Sequence, residues 1–91
     1  MKKLHLPALP KNEGARLLAR RIQSAYKGKL LFAAHCMQLS AIQLQCLVDG
    51  SLIPGEELVR DIARATRDGI SRADWRSPPA GGWFDADRVV A

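Results

Sequence analysis

The sequence has little of what marks an enzyme, a metal protein or a membrane protein. Its two cysteines, Cys36 and Cys46, form no C-x-x-C pair, and its two histidines, His5 and His35, have no cysteine or acid at ligand spacing. A structural metal site takes about four ligands, so no metal is expected and no cofactor is implied. Both cysteines sit in apolar stretches, where a free thiol usually behaves as a small buried hydrophobe. No apolar run approaches the ~20 residues of a membrane span. The opening residues are basic but lack the apolar core of a secretory signal. The expectation is therefore a cytoplasmic protein with no membrane or small-molecule partner. A phosphate-cradling glycine loop is absent too. Glu56 and Glu57 are neighbours and point apart on a helix, which argues against a general acid–base pair. Ser40 has no identifiable base to activate it. No catalysis is expected. Aromatic residues make up only 5% of the chain, which leaves the core to Leu, Ile, Val and Ala on helices.

What is present is enough chain for one domain. At 91 residues it lies well below the size at which cores divide, and 47% hydrophobic content is ordinary for a globular protein. The net charge of +5 is unevenly spread. Residues 1–29 hold eight Lys or Arg against Glu13 alone, whereas residues 30–91 hold six basic and eight acidic side chains. A lopsided positive charge is the footprint of a polyanionic partner. A solvated helix face gives the same count, so charge alone does not decide.

The pattern of apolar residues and stop signals predicts an all-α chain, a bundle of about five short helices. Residues 1–11, with Pro7 and Pro10, read as an irregular basic arm. Asn12 is an N-cap with Glu13 in the first turn, and Leu18, Ile22 and Ala25 recur at helical spacing to about residue 26. Arg16, Arg20 and Arg21 fall off that stripe and are expected to face solvent or a partner. Gly28 suits the C-terminal turn. A second helix spans about 30–37, its broad apolar face built from Leu30, Leu31, Ala33, Ala34 and Met37. Ser40 caps a third over about 41–48, burying Leu44 and Leu47, and Gly50 ends it. Pro54 opens a fourth, with Leu58, Val59, Ile62, Ala63 and Ala65 inward and Glu56 set to pair with Arg60. Ser71 caps a last short turn over residues 72–75. The domain is expected to run over residues 12–77, and residues 78–91 to form a Pro/Gly-rich linker and an apolar tail.

Two short helices over about 30–37 and 41–48, joined by a tight turn, have the dimensions of a helix-turn-helix. Ala34 supplies the small residue that a close crossing needs. Met37, Leu39, Leu44 and Leu47 supply the apolar residues around the turn.

From residue 30 to residue 75 the chain resembles the Cro and phage-repressor type of helix-turn-helix, especially its YdaS-like branch of prophage and toxin–antitoxin regulators. The resemblance rests on Pro54-Gly55-Glu56-Glu57-Leu58, on Ile62-Ala63-Arg64-Ala65-Thr66, and on Gly69-Ile70-Ser71-Arg72-Ala73-Asp74-Trp75-Arg76. It implies a helical domain with a central helix-turn-helix, sequence-specific binding to a double-stranded operator, and a homodimer. Two departures stand out. Gln38 occupies the turn position where the family prefers glycine, and the presumed recognition helix contains no Lys or Arg. Its readers would be Ser40, Gln43 and Gln45, since glutamine pairs with adenine N6 and N7 and serine with either base type, and Ala41 and Ile42, which can pack on a thymine methyl. Phosphate attraction would come from Lys27 and Lys29 before the second helix, and from Lys11, Arg16 and Arg20. The uncharged outer face of the third helix and the Trp83-Phe84 tail support a second expectation: a protein-interaction module or antitoxin, in which Trp75, Trp83 and Phe84 meet a toxin, a second regulator or another copy.

Overall fold

The structure is a computed structural model, described here for residues 4–66 and 69–83. Four α-helices follow one another: α1 (Glu13–Tyr26), α2 (Leu30–Met37), α3 (Ala41–Asp49) and α4 (Glu56–Ala65). The expected fifth helix is only a three-residue 3-10 turn, Asp74–Arg76. Ser71 and Asp74 cap it reciprocally: Ser71 N–H donates to Asp74 Oδ2 at 2.8 Å, and Asp74 N–H to Ser71 Oγ at 3.4 Å. No strand occurs among the described residues, and no helix among them is long and apolar enough to cross a membrane.

Local chemistry sets the helix ends. Asn12 stands in extended backbone, and its Oδ1 accepts the Ala15 N–H at 2.7 Å, satisfying one of the orphan donors of the first turn. At the other end Lys27 and Gly28 both turn left-handed, and Gly28 N–H donates to Ile22 O at 3.1 Å. Ser40 caps α3 by accepting the Gln43 N–H at 3.0 Å, and Gly50, at φ 85°, ends it. The fourth helix starts later than Pro54. Gly55 is its extended cap residue and Glu56 its first helical position, so the buried Pro54 belongs to the preceding loop.

Helix α1 packs on α2, α3 and the 3-10 turn, and α2 packs on α3. The core holds Ala15, Leu18, Ala19 and Ile22 of α1, Leu30, Ala33, Ala34 and Met37 of α2, and Leu44, Leu47 and Val48 of α3. Ile62, Ile70 and Trp75 close its other side. The inward stripe of α1 is thus shifted from the expected one, with Ala25 exposed. Leu31 and Cys36 are also exposed and Cys46 is half-buried, against the expectation that all three are interior. On an eight-residue helix, the two neighbouring helices cover only the side carrying Leu30, Ala33, Ala34 and Met37.

Candidate nucleic-acid interface

The α2–α3 pair turns through 106°. The turn is Gln38-Leu39-Ser40, and Gln38 takes the left-handed conformation at φ 59°, ψ 39°. That region costs a non-glycine residue of order 1 kcal/mol. The cost is offset by two bonds to the end of α2: Gln38 N–H donates to His35 O at 3.2 Å, and Leu39 N–H to Ala34 O at 2.9 Å. Leu39 then folds onto the core, and the chain re-enters a helix at Ser40.

Leu44, Leu47 and Val48 anchor the underside of α3. Residues spaced by three and four share a helix face, so the line opposite them is Ile42, Cys46 and Asp49. Ile42 is 78% exposed. With Leu30, Ala41, Gln45 and Cys46 it lines a shallow apolar recess of about 130 Å³. The C-terminal end of this line is anionic. Hydrogen bonds from the Ser51 hydroxyl (2.6 Å) and the Ser51 N–H (2.9 Å) hold the Asp49 carboxyl below the usual carboxylate range, and the positive charges of Lys11 and His5 act the same way. A fixed negative charge there disfavours an anion close to Asp49, at the C-terminal end of α3.

Among the expected base readers, Ser40 and Ile42 are exposed and Gln43 is half-buried at the edge of the face. Ala41 is half-buried and packs against the core. Gln45 is already engaged. Its Oε1 accepts the His5 N–H at 2.9 Å and its Nε2 donates to the His5 carbonyl at 2.8 Å. These bonds fix the arm alongside α3. Leu4 N–H donates to Gly28 O at 3.0 Å, and the aliphatic stem of Lys11 lies over Gly50. The arm therefore runs from the α1–α2 loop, past Gln45, to the end of α3.

The expected phosphate contacts separate. Lys27 and Lys29 are exposed together, flanking Gly28 at the start of α2, a helix whose N-terminus has no side-chain cap. Lys11 is exposed at the opposite end of α3, beside Asp49. Arg20 lines a groove with Leu17, Arg21, Ser24, Thr66, Gly69 and Ile70 that includes nothing from α3. Arg16 is not a surface cation. It is 3% exposed, with Nε 3.0 Å from Glu13 Oε1. The same carboxylate oxygen accepts Ala80 N–H at 2.8 Å, and Glu13 N–H donates to Ser77 O at 3.0 Å, so the 77–80 segment covers that side of α1.

The expected partner contacts also turn inward. Trp75 is 2% exposed and lies flat on Gly14 of α1. Trp83, 8% exposed, donates its indole N–H to Pro7 O at 2.7 Å. Both are taken up by their own chain, Trp75 on a glycine that leaves space for the ring and Trp83 on the arm. Phe84 lies outside the described residues. The Gln45–His5 pairing has no signal in the sequence, since 40 positions separate the two residues. Trp83 had one: a large ring just after a Pro/Gly-rich run needs somewhere to bury. No protein-family model, curated protein or solved structure matches this chain.

Proposed function

We propose that this protein is a sequence-specific, double-stranded-DNA-binding regulator of the helix-turn-helix type, acting as a homodimer and doing no chemistry. The observation that carries the reading is the 106° α2–α3 pair, within the ~90–120° range of such motifs, with the N-terminal half of α3 left open at its outer face. In this geometry α3 enters the major groove by its N-terminal residues while the preceding helix crosses the backbone. Ile42 packs on a thymine methyl, Gln43 and Ser40 reach base edges, and Lys27 and Lys29 meet phosphates beside the uncapped start of α2. Selection of bound sites from random duplexes tests it directly. The expected outcome is a short, two-fold symmetric consensus whose retention weakens steeply with salt. Absence of duplex binding at low salt overturns the reading.

A second reading rests on a different observation. Leu31 (50% exposed), Phe32 (49%) and Ile42 (78%) leave large apolar side chains in solvent on successive helices, and exposed apolar clusters are a feature of protein contacts. In this reading the scaffold is an antitoxin or other interaction module. Sedimentation of Leu31→Glu and Phe32→Glu, both on α2 and outside the proposed base readers, separates the two: loss of association with DNA binding retained favours an interaction face separate from the reading face.

A further inference from the structure

Residues 4–8 run along the flank of α3, from Gly28 to Gln45. The Gln45 amide accepts the N–H and donates to the C=O of a single residue, His5. That is the hydrogen-bond pattern of an adenine edge, where N6–H donates and N7 accepts. One amide cannot serve both. The arm is tethered at two further points, the Leu4 N–H on Gly28 O and the Pro7 carbonyl under the Trp83 indole N–H. Its burial is modest. Leu4, Leu6 and Pro7 are half-buried, whereas His5, Ala8 and Leu9 are exposed, and both Gln45 bonds face solvent. Leu4 and Leu6 rest on the core and the Trp83 bond is part-buried, so the exposed Gln45 end is where the arm is held most weakly and where local opening starts.

We propose that residues 4–8 are a releasable cover on α3, an internal mimic of an adenine edge that occupies Gln45 until an operator displaces it. This rests on the DNA-binding reading above and adds to it a self-imposed control of affinity. The cover lies between the lysines at the start of α2 and the flank of α3, so a duplex drawn in by Lys27 and Lys29 meets it before it reaches Gln45. A nonspecific duplex gains nothing at Gln45 to repay the displacement. An operator with adenine at that position restores at Gln45 the two bonds that His5 gives up. The cover therefore lowers affinity for all duplexes and costs the correct one least.

Two point variants loosen the cover while leaving α3 and every lysine in place. His5→Pro removes the N–H that Gln45 accepts, and Trp83→Phe removes the donor to Pro7. Thermal unfolding checks that both remain folded, and hydrogen exchange of the Leu4 amide reports release of the arm without DNA. The expected result is faster Leu4 exchange, and operator binding about threefold to tenfold tighter in each variant, the equivalent of one or two ordinary hydrogen bonds, with an unchanged salt slope. Equal or weaker binding despite faster exchange overturns the cover and makes the arm structural. A Leu4 amide that stays protected in both variants overturns it as well, because these contacts then do not hold the arm. If neither the wild-type chain nor either variant retains any duplex, it is the DNA-binding reading that fails, and the cover with it.

Discussion

Gly14 shows how one residue can decide the packing of a whole end of the molecule. It sits in the first turn of α1, where alanine would ordinarily be the better helix former by about 1 kcal/mol. A Cβ built there falls inside the indole of Trp75. The ring is fully buried among α1 residues, so neither partner has space to retreat. Overpacking of this kind costs about 1–3 kcal/mol, and more where a ring must leave its site. Gly14→Ala is therefore expected to lower stability in urea by about 1–3 kcal/mol, despite the gain in propensity. In a Trp75→Leu background, itself destabilised by loss of the ring, Gly14→Ala should cost less than it does in the wild-type chain, because the smaller side chain vacates the space the methyl needs. An unchanged or raised midpoint for the single variant would mean that Trp75 does not lie on Gly14.

At the scale of the element, the helix ends differ in what they control. Asn12 and Ser40 make the same cap bond, but Asn12 is 6% exposed and Ser40 lies in solvent. Water can replace the Ser40 hydroxyl at the Gln43 N–H; it has little access to the Ala15 N–H. Asn12→Ala is expected to cost about 2 kcal/mol and Ser40→Ala about 0.5–1 kcal/mol, the upper and lower parts of the range for lost caps. Chemical denaturation of the two variants checks the order, and equal losses would contradict it. These same caps explain why α1, α2 and α3 were legible from the sequence nearly to the residue. Asn12, Gly28 and Ser40 act through bonds to their own neighbours and Gly50 through its left-handed backbone, while the turn at Gln38 is marked only by the resemblance, which has glycine there. Legibility ends where a side chain's environment is set by a distant segment. Arg16 has the spacing of a surface cation, yet the 77–80 segment returns to cover it through Glu13. Gln45 has the chemistry of a base reader, yet the arm returns to pair with it. Leu31 has the look of a core residue, yet among the described residues no element covers it. In each case the periodicity is right and the missing fact is which part of the chain comes back.

For the molecule as a whole, the question is where its positive charge can act together. Among the described residues, the basic end of the sequence does not become one basic face. Folding buries Arg16 and sends Arg20 into a groove away from α3. It also sets Lys11 beside the fixed charge of Asp49. Only Lys27 and Lys29, among the residues expected to meet phosphate, stay exposed beside the open half of the α2–α3 pair. If this pair meets a duplex, those two lysines carry its electrostatic attraction, and each phosphate they neutralise contributes about −0.9 to the slope of log affinity against log salt. Replacing both with alanine should therefore flatten the slope by about 2 per protomer, about 4 for a homodimer on its operator, while leaving the preferred sequence unchanged, since phosphate contacts position and base contacts specify. Lys11→Ala and Arg20→Ala should leave the slope where it is. Both lysines are solvent-exposed, so the double variant should unfold at nearly the wild-type temperature, and a loss of binding cannot then be assigned to a loss of fold. A slope that responds instead to Arg20, with Lys27 and Lys29 inert, would move the interface to the groove between α1 and the end of α4. In that case α3 would be a structural element, and its open apolar half would belong to a protein partner.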